Sequence, residues 1–385
     1  VTKIDRLKGF LFDGEFLDLI DLINPTMNSI KKIGFFSALI LPILLVAGYY
    51  LGGLNLFLIH GFVFVLVPLM DYMISTDKSN IPMQAVNAVT HDYFYKLVTF
   101  SWVYLQLAVL FWAFYAVSTS SFNWWEWLAF VSGTALLTGG IGITVAHELG
   151  HKSEKIEQFY SKVLLMTVCY MHFIIEHNRG HHVRVATPDD PATSRLGESF
   201  YRFWIRSVRD GYLSAWDLEA ERLRKKGISS GSLQNQMIQF IIWPLVFVGL
   251  AFTGFSVWMD RLVWEIPVFF FGQSLLGFSL LEIVNYLEHY GMERKKLPSG
   301  TYEKVTPIHS WNASHIVSNF LLFQLQRHSD HHAFAHKRYQ VLNHYDESPQ
   351  LPAGYSAMIV VALFPPIWFK LMNPRLEEWK QKRVN

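Results

Sequence analysis

Long apolar runs, interrupted at short polar intervals, dominate the chain. A bilayer core about 30 Å thick needs about 20 mostly apolar residues in one helix. Ile33–Leu51 and Leu54–Met73 meet that length, with only a glycine-containing turn between them. Tyr95–Val117 and Trp125–Ala146 repeat the pattern across Ser118–Trp124, and Gln236–Val257 and Val263–Tyr286 repeat it again. The pattern predicts three helical hairpins: an all-α, polytopic membrane protein with six transmembrane helices and both termini on one side. Gln158–Ile175 is a seventh apolar run, shorter and bracketed by histidine clusters. It is expected to pack beneath the bundle or graze the interface. No internal repeat beyond the hairpins and no low-complexity segment is visible.

Lys and Arg collect in cytoplasmic loops. The three hairpin tips hold Arg261, whereas the opposite side holds Lys3, Arg6, Lys8, Lys31, Lys32, Lys78, Lys152, Lys155 and Arg222–Lys226. That side is expected to be cytoplasmic, with Trp124, Trp125 and Trp127 in the outer aromatic belt. Three divisions follow. Residues 1–32 form a segment without a signal-peptide pattern, fitting either a surface amphipathic helix or a capping helix. Residues 33–286 form the bundle, with a cytoplasmic insertion at 147–235, and 287–385 form a C-terminal cytoplasmic part.

Composition sharpens this picture. Charged residues make up 17%, against about 25% in a soluble domain, so the surface is not solvated all round. A formal charge of +2 and no basic run interleaved with aromatics argue against nucleic acid. Cys169 is the single cysteine, which excludes an internal disulfide, a cysteine-ligated Fe–S cluster and a built-in rubredoxin. Its apolar setting points to a buried, inert thiol.

Of 16 histidines, nine fall into four groups. They are His147 and His151; His177, His181 and His182; His289; and His328, His331 and His332. All lie on the side assigned to the cytoplasm. Residues three or four apart share a helix face, so His147/His151, His177/His181 and His328/His331/His332 can each aim imidazoles at one point. His182, about 100° further round, can reach a second. Neutral imidazole binds Zn, Cu, Fe and Ni, and a single zinc in the common sites takes about four ligands. Nine clustered histidines therefore suggest two metal ions. His147-Glu-Leu-Gly-His151 also matches the His-Glu-x-x-His motif of zinc proteases, with Glu148 as general base. That reading leaves seven clustered histidines unexplained. Glu148 is instead expected to orient a ligand histidine or pair with a nearby cation.

His147–Lys152, Glu176–His182, Asn285–Gly291 and Leu325–Ala333 resemble the four signature motifs of the membrane alkane 1-monooxygenases, within the membrane fatty-acid desaturase and hydroxylase superfamily. Ala186–Ser199 and Ser310–Asn319 are similar to that family too, and the resemblance runs from the second span to Pro366. It implies terminal hydroxylation of medium-chain n-alkanes by O2, giving a 1-alkanol and water. It also implies two non-haem iron ions, no haem or flavin, and a location in the bacterial inner membrane. Rubredoxin would be the electron donor, itself reduced by a flavoprotein reductase. With one cysteine, this sequence needs that carrier as a separate chain or a fused domain outside it.

An alkane offers no polar handle, so selection of its terminal carbon must be steric. Phe62, Phe64, Leu66, Phe269, Phe270, Leu276 and Phe278 are candidates to line a tunnel, although helix packing and lipid contact account for apolar residues equally well. Arg202, Arg206, Arg209, Arg222, Arg224, Lys225 and Lys226 are candidates to steer an acidic carrier, or simply a solvated rim. Glu148, Glu288, Asp189, Asp190, His309 and His315 are candidates to support ligands or deliver protons. Rival classes are another membrane di-iron oxidase, acting on acyl chains or aromatics, and a metal transporter. The latter would place ionisable residues at mid-membrane; here the spans hold few, chiefly His60, Glu265 and Glu282.

Overall fold

The computed structural model describes residues 29–74 and 76–382. Most of the segment expected to form an N-terminal amphipathic helix lies outside them. In lipid, no water bonds the backbone, so an apolar run must satisfy its own N–H and C=O groups as helix. The first hairpin is α1 (Lys31–Leu51) and α2 (Gly53–Met73). After a short α3 (Met83–His91) comes the second, α4 (Tyr93–Thr119) and α5 (Trp124–Gly150). Next are α6 (Lys155–Met166), α7 (173–184) and α8 (Phe200–Lys225). The third hairpin is α9 (Gln236–Trp258) and α10 (Glu265–His289). The chain closes with α11 (Ile316–Leu321), α12 (His328–Ala333), α13 (Tyr355–Ala362) and α14 (Pro365–Lys382). Among the described residues six helices are thus long and apolar enough to cross a membrane, and only isolated β-bridges occur.

Helix α5 is the axis of the bundle: 78% of its apolar window is buried, against 17% in α2. Asn123 caps its start, accepting from the amides of Trp125 and Glu126 while Glu126 accepts in return from the Asn123 amide. Midway, a π turn at Leu136–Gly142 brings Gly139 against Gly277 of α10. A Cβ built on Gly139 would lie 2.3 Å from the Gly277 carbonyl oxygen. This is the close backbone approach that small residues permit between membrane helices.

The run Gln158–Ile175 neither grazes the interface nor stays beneath the bundle. It dips into the bundle and returns, turning at Cys169 with φ 52°. Polar side chains on two spans satisfy the turn. Gln106 Nε2 of α4 donates to Thr167 Oγ1 (2.8 Å), and Gln273 Nε2 of α10 donates to the Thr167 carbonyl (2.7 Å). Non-helical backbone at membrane depth is tolerated where protein supplies its partners in this way.

Gly139→Val should lower the melting temperature of detergent-purified protein, because overpacking costs about 1–3 kcal/mol and here the obstacle is backbone. A Cβ on Gly140 meets nothing within 4 Å, so Gly140→Ala should melt like the parent.

Candidate metal centre

Each histidine group is presented by a different part of the fold. The last turn of α5 carries His147, and His151 follows it. The last residue of α10 is His289, and α12 is a single short helix bearing His328, His331 and His332. In α7 the helix widens into a π turn over Glu176–His181, whose bonds run i to i+5. That extra residue per turn decides which histidines meet.

All nine converge, in two groups. His147, His151, His177, His182 and His331 form one, and His181, His289, His328 and His332 the other; within each group the candidate ligand atoms lie within 4.8 Å of one another. The division differs from the helical-face expectation. His177 joins His182, five residues on, rather than His181, because a π turn and not an α turn separates them. His331 leaves His328 and His332, which are four apart and share a face.

Nε2 of His177 lies 2.7 Å from Nε2 of His147 and 3.0 Å from those of His151 and His182. One ring nitrogen has a single in-plane direction and cannot hydrogen-bond three neighbours. Nitrogens bound about 2.0–2.1 Å from one ion stand about 3 Å apart at right angles, so a metal at the focus fits this donor set. The second group is similar: His332 to His328 is 2.8 Å, His328 to His289 3.2 Å and His181 to His332 3.2 Å. Burial, reinforced by the neighbouring imidazoles, holds His151, His177, His182, His328, His331 and His332 well below the ordinary histidine range. They are neutral, with lone pairs free to bind.

Carboxylates fix some of these rings. His181 Nδ1 donates to Asp190 Oδ2 (2.8 Å), which turns its Nε2 inward, and Thr193 donates to the same oxygen (2.6 Å). Burial pushes Asp190 up, but His181 and these hydrogen bonds outweigh it and leave it below the usual carboxylate range. Glu288 Oε2 lies 3.1 Å from His328 Nε2, and its Oε1 accepts from the Tyr355 hydroxyl (2.7 Å). Asp330 holds α12 rigid, accepting from Lys337 Nζ (2.9 Å), Tyr345 hydroxyl (2.9 Å) and the Asn343 amide (2.8 Å). Sequence reasoning passed over Asp330, Lys337, Tyr345 and Tyr355; an acid set inside a histidine motif was the available signal.

Other candidates sit elsewhere. Glu148 pairs with Lys152 at 3.0 Å. Asp189 is exposed. His309 bonds Glu303 (3.0 Å) and Thr306 (3.0 Å) in the loop before α11, and His315 faces Asp71. On α8, Arg206 is held by Glu198 (2.7 Å) and Arg222 by Glu219 (2.6 Å). Lys225 pairs with Glu221 but stays exposed, as do Arg202, Arg209, Arg224 and Lys226.

A mainly apolar cavity of about 90 Å3 leads from between α1, α2, α5 and α10 to His147, His177 and His328. Of the residues expected to line a tunnel, Phe64 does; Val63, Gly140, Leu280, Leu281 and Ile359 join it. Phe269 and Phe270 pack instead with Phe114 in the aromatic core. Leu66 and Leu276 point outward, and Phe62 is partly buried against the core. Phe278 stacks on Tyr170 and Trp204. The lining face of α10, Leu280–Glu288, lies about three turns closer to His289 than expected.

A family profile for fatty acid desaturases matches residues 121–362. The chain is 43% identical over 327 residues to alkane 1-monooxygenase 2 of Pseudomonas aeruginosa, covering 84% of each chain. It is 40% identical to alkane 1-monooxygenase 2 of Alcanivorax borkumensis, covering 85% of this chain and 84% of that one. It is 27% identical to the hydroxylase component of a xylene/toluene monooxygenase from Pseudomonas putida, over 64% of each.

Asp190→Asn should weaken metal binding about 10–100-fold, the usual cost of losing a partner that orients a ligand. Metal retained after dialysis against a graded chelator series measures it, and Asp189→Asn should match the parent.

Proposed function

The chain belongs to the fatty acid desaturase family, among its alkane 1-monooxygenases, and from that premise we propose that it hydroxylates the terminal carbon of medium-chain n-alkanes at a histidine-held di-iron centre. The observation that carries this reading is the apolar cavity ending on His147, His177 and His328, one or more from each histidine group. Five histidines would hold one iron. Four would hold the other, with Glu288 beside His328. Two iron ions would supply the activation of O2 that cleavage of an unactivated C–H bond requires.

The protein's own residues do the rest. Burial of each CH2 is worth about 0.8 kcal/mol from water and less from lipid, so attraction cannot select one carbon of a chain. Shape can: a chain end sliding between Phe64, Leu281 and Ile359 reaches the histidines first. Apolar walls keep water from the reacting carbon. Glu148 forms a buried ion pair with Lys152, which counts against the peptide-hydrolysis role its motif suggests.

Electrons would come from a reduced rubredoxin, itself served by a flavoprotein reductase. The exposed cations Arg202, Arg209, Arg224, Lys225 and Lys226 are our candidates to steer that acidic carrier, with Arg206 and Arg222 serving α8 through their own ion pairs. The Lys and Arg asymmetry favours a cytoplasmic histidine side in a bacterial inner membrane.

Purified protein should contain about two iron per chain and, with rubredoxin, reductase and reduced nicotinamide, should convert octane to 1-octanol by gas chromatography. One zinc per chain, or an acyl thioester as the only substrate consumed, would end this reading. Gly140→Leu should project into the cavity and shift the octane-to-dodecane rate ratio about tenfold toward octane, the size of one or two lost methylene contacts.

A further inference from the structure

Behind Phe173, His177 and Asn285, which also line the apolar cavity, lies a second, small chamber of about 30 Å3. It touches His177 and His181, one from each histidine group. Unlike the first, it is walled by buried carboxylates. The Tyr170 hydroxyl donates to Glu282 Oε1 (2.8 Å) and Arg184 donates to Glu176 Oε1 (2.5 Å). The second oxygen of each carboxylate, Oε2, is buried and makes no hydrogen bond, with Ser207 and Asn285 standing near Glu282 and Ser214 near Glu176. An acceptor left so is unfavourable, and an incoming O–H group would relieve it.

At His172 this chamber meets a third cavity of about 190 Å3. Tyr212 and Met237 line its inner side. Ile241, Leu245 and Phe271 line the other, and all three are exposed on the spans α9 and α10, where lipid would surround them. Pro244, also in the wall, interrupts the α9 hydrogen-bond ladder there. From the metal centre outward the order is therefore hydrogen-bond acceptors, then an apolar passage, then the bilayer.

We propose that this series is the exit for the hydroxylated product, a primary n-alkanol that leaves hydroxyl first. The inference rests on the alkane reading above. The new hydroxyl arises at the chain end nearest the partition. Dragging it back along an apolar tunnel strips it of hydrogen bonds, whereas moving it forward offers it the free oxygens of Glu176 and Glu282. An alkane has no donor and gains nothing there, so the chamber separates product from substrate. The alkyl chain follows into the lipid-facing cavity. Phe173, stacked on His177 at 4.6 Å between centroids, is the side chain that must swing aside. Forward movement also removes the alcohol carbon from the metals before a second oxidation.

The test uses full-length, metal-loaded protein in lipid nanodiscs and two photoreactive diazirine probes, a dodecane and its 1-hydroxyl counterpart, with crosslinks mapped by mass spectrometry. The alkane probe should mark the first cavity at Phe64, Leu281 or Ile359. The alcohol probe should also mark Tyr212, Met237 or Ile241, and 1-dodecanol should displace it there at least tenfold better than dodecane. Leu245→Trp, which narrows the outer cavity, should leave the first turnover unchanged, slow later ones several-fold and so produce a burst of alcohol; Leu245→Ala should show no burst. Alcohol crosslinks confined to the first cavity, or no burst in Leu245→Trp, overturn the exit route. An alkane probe that fails to mark the first cavity counts instead against the alkane reading.

Discussion

Lone pairs on adjacent imidazole nitrogens repel, yet His147, His151, His177 and His182 hold theirs 2.7–3.3 Å apart inside a buried pocket. Rings so close form a donor set that could hold a metal ion, and the rest of the fold is arranged to keep them there. Four separate stretches must arrive at one place: the ends of α5 and α10, the π turn of α7 and the short α12. A membrane bundle suits the task, since its spans are rigid rods whose ends fall in one layer. Asp190, Glu288 and Asp330 then brace rings or backbone from outside the nitrogen cluster.

The same bundle must admit polar groups at depth without exposing them to lipid. It does so by pairing them. Gln106 and Gln273 satisfy the turn at Thr167, Trp102 donates to Gln106 and Thr138 donates to Gln273. These bonds lock the dipping segment of α6 and its turn against α4, α5 and α10, and so set where Phe173 and His177 stand. Packing on one side of the metal centre is thereby coupled to hydrogen bonding on the other, with Gly139 and Gly277 fixing the distance between the two central helices.

The spans and the nine histidines were legible because each carries a local signal: twenty apolar residues in a row, or imidazoles at helical spacing. What joined them was less visible. The pairing of His177 with His182 depends on a π turn, and a 3.6-residue period mispredicts it. Aromatic residues on a span look alike in sequence, so Phe269 and Phe270, which pack inside, could not be told from Phe64, which lines the cavity. Likewise Arg206 reads as a free surface cation until the loop before α8 folds Glu198 against it. The dip at Thr167 was hidden because its partners, Gln106 and Gln273, stand far away in the chain.

The π turn at Glu176–His181 has a consequence of a genetic kind. Such a turn is an α-helix carrying one residue more than its hydrogen bonds need. Excising a single residue there would restore ordinary winding and rotate everything beyond it by about 100°, carrying His181 and His182 away from their respective partners. Division of the histidines between two groups is thus written in the length of one short stretch as much as in its composition. Insertions and deletions at that point weigh more heavily on this centre than most exchanges of one side chain for another.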